Sequence, residues 1–176
     1  MADIRNRVED DRGIIKKIET YIPGYRGYRL KEDLRIADSL LRNQLSNELG
    51  SVLGSVERSR ETISKNMDLL LINDIGELGN SLTAVMNKLR HAQQGYSGIS
   101  PDIRVEEGEL NKLYEWDLSL LQIIDILRDK STDLEGLVTS RSPRVQASIT
   151  EIKKEVTKFQ ELLQKRMDTV ANISVR

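Results

Sequence analysis

The chain has 176 residues, of which 31% are charged, with no cysteine and a formal net charge of −1. The absence of cysteine excludes disulfides, thiolate nucleophiles and zinc–cysteine or iron–sulfur sites. The balanced charge gives no overall field that would attract nucleic acid or an anionic membrane. Few aromatic residues and only three prolines favour extended helices over a β-rich fold.

Apolar residues recur every three or four positions along almost the whole chain, a spacing typical of amphipathic helices. We therefore predict an all-α fold: an antiparallel helical bundle with at least one long helix and coiled-coil character, forming a single domain over residues 1–176. The same spacing assigns Met67 and Leu70 to the buried face of the second helix. The predicted helices span approximately residues 2–21, 30–72, 74–93, 105–138 and 143–171.

The boundary between the second and third helices is the least marked, because the apolar phase continues through it. One helix over residues 30–91 would be roughly 90 Å long at about 1.5 Å per residue, which is unusual in a monomer. We place the break near Asn73, where Asp74 and Glu77 can form an N-cap pair. The alternative break is at residues 50–54, where two glycines weaken the helix.

The last helix has the clearest pattern, a seam of apolar residues in alternating steps of four and three. Ser142 and Pro143 precede it as a predicted N-cap and first helical residue. This region is basic, with seven basic and three acidic residues between Arg141 and Arg166, whereas residues 102–135 hold ten acidic and four basic ones. We prefer antiparallel packing of these two helices with complementary flanks, and keep a basic surface for an anionic partner as the alternative. The seam residues are Val145, Ile149, Ile152, Val156, Phe159 and Leu163.

The inventory of reactive side chains argues against catalysis. His91 is the only histidine, so a ferritin-like di-metal site with two Glu-x-x-His motifs is excluded. His91 is best explained as a polar residue in the last turn of the third helix. The chain has no glycine-rich phosphate loop. We expect a protein that is not an enzyme, with no catalytic residues, metal site or cofactor.

Residues 21–29, between the first two predicted helices, contain three of the seven aromatic residues of the chain. Pro23 and Gly24 predict a type II turn, and the following arginines bring positive charge to the start of the second helix. Tyrosine rings and arginine guanidinium groups suit a phosphate, a carboxylate or a peptide. The candidate ligand- or partner-binding residues are Tyr21, Tyr25, Arg26, Tyr28, Arg29, Arg35 and Tyr96.

Two interpretations of this segment remain open. It is either a dock for an anion, single-stranded nucleic acid or an acidic peptide, or a structural cap in which the tyrosines cover the bundle end and the arginines pair with nearby acids. The structural cap is preferred. Tyr96 belongs to a second Gly/Tyr loop, and this loop reaches the same end of the bundle only if the second and third helices are separate and antiparallel.

The segment Ile-Pro-Gly-Tyr-Arg-Gly-Tyr-Arg at residues 22–29, followed by Lys31-Glu32-Asp33, Arg35 and Ala37-Asp38, resembles the opening of an uncharacterised family of small prokaryotic all-helical proteins. Residues 95–98, Gly-Tyr-Ser-Gly, and residues 113–117, Leu-Tyr-Glu-Trp-Asp, are similar to two further segments of that family. The resemblance covers roughly the first two-thirds of the chain and implies no activity. It does mark these three segments as places to look for a site.

We expect a cytoplasmic scaffold or adaptor that binds another protein or self-associates along its apolar seams. The alternative is an anion-binding module that uses residues 21–29 for a phosphate-bearing ligand or single-stranded nucleic acid. The N-terminus has no apolar signal segment, and the longest strongly apolar run, residues 69–72, is far shorter than the ~20 residues that span a bilayer. Membrane insertion is therefore not expected, and nucleic-acid binding is disfavoured by the net charge.

Overall fold

The computed structural model describes the backbone of residues 4–25, 31–91 and 107–175, and the side chains of residues 13–25, 36–91, 108 and 110–170. The described chain consists of helices that pack against one another, which confirms the predicted all-α bundle. The helices are α1 (Ile4–Tyr21), α2 (Lys31–Lys65), α3 (Leu69–His91), α4 (Glu107–Thr139) and α5 (Val145–Val175).

Helices α2 and α3 form one antiparallel hairpin. Near one end of it Arg90 contacts Ser46, and further along Gly79 lies beside Leu53 and Glu57. A Cβ atom at Gly79 would come within 3.0 Å of the Glu57 carboxylate, so the two helices approach closely there. The prediction that the second and third helices are separate and antiparallel is therefore confirmed.

Helices α4 and α5 form the second antiparallel hairpin, joined at its far end by a short turn. Arg166 contacts Asp117 near the start of α4, and Lys130 contacts Glu151 further along. The six predicted seam residues of α5 are all buried against the rest of the bundle. The antiparallel packing expected from the charge distribution is present. One ion pair differs from the expected pairing of the two flanks. Lys153 of α5 pairs with acidic residues of α3 instead of α4.

The two hairpins pack side by side and point in the same direction, with α2 against α4 and α3 against α5. Helix α1 lies on the outside of this four-helix core and packs against α4, burying Ile18 and Ile22. We call the end of the bundle that holds Tyr25 and the starts of α2 and α4 the tyrosine end. The opposite end, with the α2–α3 and α4–α5 turns, is the turn end.

The predicted break near Asn73 is wrong in position, and so is the alternative at residues 50–54. Helix α2 runs through both glycines and ends at Lys65, while Asn73 lies inside α3. Met67 adopts a left-handed conformation, with φ of 57°, and Asp68 accepts the Leu71 N–H through its side chain at 3.2 Å. A left-handed residue ends one helix and an aspartate N-cap starts the next, so the turn needs neither glycine nor a change in the apolar pattern.

The other hairpin turn uses the same device. Arg141, with φ of 52°, follows α4, and the Ser142 N–H donates to the Leu137 carbonyl at 2.9 Å, the six-residue bond of a Schellman motif. The Ser142 hydroxyl then accepts the Arg144 N–H at 3.3 Å, which confirms Ser142 as a cap of the last helix.

Candidate functional site

The turn at residues 22–25 has the predicted type II form. The Tyr25 N–H donates to the Ile22 carbonyl at 3.1 Å, and Gly24 has φ of 86°, as the third position of such a turn requires. This tight reversal directs the chain from α1 back over α4. It places the hydroxyl groups of Tyr21 and Tyr25 against carboxylates of α4.

Tyr25 reaches into a buried cluster of charged side chains at the tyrosine end. Its hydroxyl donates to Asp117 Oδ2 at 3.0 Å, and the Arg166 guanidinium donates from Nε to Asp117 Oδ1 at 2.5 Å. Arg166 also donates from Nη1 to Asp38 Oδ1 at 2.7 Å. The second oxygen of Asp38 lies 2.6 Å from Arg42 Nη2. We call these five residues the buried ionic cluster.

The buried ionic cluster joins α2, α4, α5 and the turn after α1. Asp117 is 0% exposed and Arg166 is 3% exposed, so both charges have lost almost all contact with water. Two carboxylates and two guanidinium groups neutralise one another, which is the condition under which buried charges are tolerated. The cluster thus specifies how four chain segments meet.

A second, more exposed set of polar contacts lies next to the cluster along α4. The Tyr21 hydroxyl donates to Asp125 at 2.7 Å, and Arg128 bridges Asp125, at 2.7 Å, and Glu48 of α2, at 3.5 Å. The hydrogen bond to Asp125, followed by burial, raises the pKa of the Tyr21 phenol above its ordinary value. Tyr21 is therefore held as a neutral donor that fastens the end of α1 to α4.

Of the seven predicted binding residues, the structure describes the side chains of two, Tyr21 and Tyr25. Tyr21 and Tyr25 have structural hydrogen bonds, and Tyr25 is buried, an arrangement that supports the interpretation as a cap of the bundle end. The other five candidates stay predictions. Arg26, Tyr28, Arg29 and Tyr96 lie outside the described residues, and Arg35 belongs to α2 but its side chain lies outside them too.

Three residues from the motif segments meet in the buried ionic cluster, although they are far apart in the sequence. Tyr25 and Asp38 come from the opening segment and Asp117 from the segment at residues 113–117. Their partner Arg166, close to the end of the chain, was not singled out by sequence reasoning. Arg166 lies in the basic stretch that flanks the apolar seam of the last helix, where charged residues are expected to be solvated. Nothing in the neighbouring sequence distinguishes it from the other basic residues there.

The turn end carries a feature that the sequence reasoning placed in the core. Met67, Leu69 and Leu70 are 84%, 74% and 79% exposed, which corrects the assignment of Met67 and Leu70 to the buried face. The cause is the helix end at Lys65, because the turn that follows shifts the phase and points these side chains outward. The sequence feature that corresponds to this exposed patch is the unusually apolar run at residues 69–72.

A groove of about 710 Å³ opens between the α2–α3 and α4–α5 turns, and Leu70 is among the residues that line it. Its floor includes the buried apolar residues Ile63, Val138 and Val145, and its rim includes Asp68 and Arg141. Arg141 spans the two turns and donates to Asn66 at 3.1 Å. We call Met67, Leu69, Leu70 and this groove the turn face.

Within the described residues, no group of three or more histidine, cysteine or carboxylate side chains is arranged to hold a metal ion. In the same part of the chain, no helix is long and apolar enough to cross a membrane.

Comparison with known proteins found no matching family model, no matching curated protein and no matching solved structure. The resemblance of the motif segments to a prokaryotic helical family therefore stays a prediction.

Proposed function

We propose that this chain is a non-enzymatic interaction protein that docks through the turn face. The observation that carries the proposal is the exposure of Met67, Leu69 and Leu70 at one turn of a bundle whose other large apolar side chains are mostly buried. Apolar patches rimmed by polar residues on helical proteins are typical of interaction sites.

The energetics favour covering this face. Burying one large aliphatic side chain contributes about 1.5–3 kcal/mol, so three of them together provide a substantial part of a binding free energy. The groove next to them adds apolar surface at its floor and charged groups at its rim, which is the usual arrangement of an interface core and rim.

The occupant that we propose is a second copy of the chain. A two-fold interface uses the same patch on both subunits, so that patch must supply both the projection and the recess. The turn face has both, with exposed leucines beside an apolar-floored groove. Its rim carries Asp68 and Arg141, and this pair of opposite charges lets two copies match each other around a two-fold axis. The net charge of −1 produces little repulsion between copies.

Sedimentation equilibrium over a wide concentration range tests this proposal with the double variant Leu69→Ser/Leu70→Ser. The wild type should show a monomer–dimer equilibrium, and the variant should weaken it at least about 100-fold, because two large apolar side chains no longer contribute. The control is Ile36→Ser, which removes an aliphatic side chain with 54% exposure near the tyrosine end and should leave the equilibrium unchanged.

A wild type that stays monomeric at every concentration would overturn self-association. Equal weakening by the control would show that association uses another surface. Loss of a defined protein partner by the leucine variant, with a monomeric wild type, would assign the turn face to a different protein instead.

A further inference from the structure

A small polar cavity lies between α2 and α3 toward the tyrosine end, far from the turn face. Its volume is about 200 Å³, which is room for several water-sized groups. Among the described residues, those that line it carry two positive charges and no carboxylate, in a chain where acids and bases are almost equal in number. The lining residues are Arg42, Asn43, Ser46, Asn47, Leu89 and Arg90.

Arg90 supplies a positive charge to the lining of this cavity. Its Nε donates to the Ser46 hydroxyl at 3.3 Å, and in the part of the chain that the structure describes no carboxylate lies within ion-pair distance of it. A neutral hydroxyl thus orients the guanidinium without cancelling its charge. Lys88 in the same last turn offsets part of the partial negative charge at the C-terminal end of α3.

Arg42 contributes a fixed second guanidinium at the boundary between the cavity and the buried ionic cluster. It is buried, held by Asp38 through the ion pair at 2.6 Å and a bond from Nε to the Asp38 carbonyl at 3.4 Å. Asp38 is in turn balanced by Arg166, so its negative charge is shared between two arginines. The Arg42 guanidinium is consequently held in one position at the cavity wall. Because the charge of Asp38 is balanced, it does not repel an anion in the cavity.

We propose that this cavity binds a phosphate-type anion, either inorganic phosphate or the phosphate group of a small monoester. Guanidinium forks match phosphate oxygens in pairs, while the amides of Asn43 and Asn47 and the hydroxyl of Ser46 offer further donors. A tetrahedral dianion can use donors on both helices at once, whereas a planar carboxylate has only two oxygens. The site is separate from the turn face, and neither Tyr21 nor Tyr25 is among the described residues that line it.

Isothermal titration with inorganic phosphate, at constant ionic strength, tests the proposal on the full-length chain. Wild type should bind one phosphate saturably, with acetate at least about tenfold weaker. Arg90→Gln should weaken phosphate binding by about tenfold or more, as expected when a charged hydrogen-bond donor is lost. The matched control is Arg60→Gln, an exposed arginine of α2 paired with Glu57, which should leave the affinity unchanged.

A second variant, Asn47→Asp, puts a negative charge on the cavity wall at an exposed position and should abolish binding while the chain stays folded by circular dichroism. A titration with glycerol phosphate separates the two sources of the anion, since tighter binding than inorganic phosphate assigns the site to a monoester. Absence of saturable phosphate binding by the wild type would overturn the proposal. So would equal losses in the Arg90 and Arg60 variants, or equal binding of acetate and phosphate.

Discussion

Asp117 occupies the centre of the buried ionic cluster, where one carboxylate accepts from Tyr25 and from Arg166. If this side chain were uncharged, Asp38 would be the carboxylate that still pairs with Arg166 among the described residues. Both side chains are almost inaccessible to water. Desolvated charges are stable only when they are paired, so this single residue controls how well the start of α4 and the end of α5 fit together.

We expect Asp117→Asn to lower the free energy of unfolding by about 3–5 kcal/mol, since breaking one partner of a buried pair leaves a charge uncompensated. Urea denaturation followed by circular dichroism measures this change. The control Glu151→Gln breaks the exposed pair with Lys130 and should lower it far less, because solvent screens an exposed pair. Similar values for the two variants would mean that the buried pair is no more important than a surface pair.

The apolar double variant Asp117→Leu/Arg166→Met tests how much the charges of the cluster contribute to the free energy of unfolding. Apolar replacement of a whole buried pair is often close to neutral for stability. We therefore expect this variant to unfold at a higher urea concentration than Asp117→Asn. A double variant that is less stable than Asp117→Asn would show that these charges stabilise the bundle beyond their mutual compensation.

At the scale of elements, the bundle depends on two hairpin turns that both place a residue with a large side chain in the left-handed region. These left-handed residues are Met67, with φ of 57°, and Arg141, with φ of 52°. Left-handed geometry disfavours residues with a Cβ by about 1–2 kcal/mol, whereas glycine adopts it freely. Each turn would consequently be more stable with glycine at its left-handed position.

Arg141→Gly should raise the free energy of unfolding by about 0.5–1 kcal/mol, because the relief of backbone strain exceeds the loss of one exposed hydrogen bond to Asn66. Thermal and urea unfolding of the variant check this value. Lys154→Gly, at an exposed position inside α5, is the matched control and should lower it by about 1 kcal/mol. Destabilisation by both variants would contradict the assignment of strain to Arg141.

At the scale of the whole molecule, ion pairs connect helices around the outside of the bundle. Asp74 of α3 accepts from Gln146 and Lys153 of α5, and these bonds hold the pKa of its carboxyl below the usual range. The bond from Arg58 of α2 lowers the pKa of Glu135 on α4 in the same way. The two pairs fasten α3 to α5 and α2 to α4, the contacts that hold the hairpins side by side.

The sign of these shifts predicts acid sensitivity. A carboxyl whose folded pKa lies below its unfolded value stabilises the fold above the unfolded pKa, about 4 for Asp and Glu, and that stabilisation is lost as the pH falls through the folded pKa. The melting temperature should therefore fall as the pH is lowered from about 5 through and below the unfolded pKa of about 4. Asp74→Asn should be less stable than wild type at pH 7, and the difference should shrink at low pH. A constant difference across this range would contradict the linkage.

Much of the fold could be predicted from periodicity, because each helix must bury one stripe of apolar residues whatever its neighbours are. The seam of α5 is the clearest example, since all six of its residues are buried. The break after Lys65 was not predictable in this way. It is made by backbone geometry at Met67 and a cap at Asp68, and neither residue type is distinctive in a sequence.

The sequence by itself determined the fold class, the type II turn at Pro23 and Gly24 and the cap at Ser142, because these depend on local interactions within a few residues. Only the tertiary structure decided which charged residues become buried and which apolar ones remain exposed. Asp38, Asp117 and Arg166 look like solvated residues until three helices enclose them, and Leu70 looks like a core residue until the turn points it outward. Whether one of these particular side chains is buried depends on packing between distant segments, which the spacing along one helix does not specify.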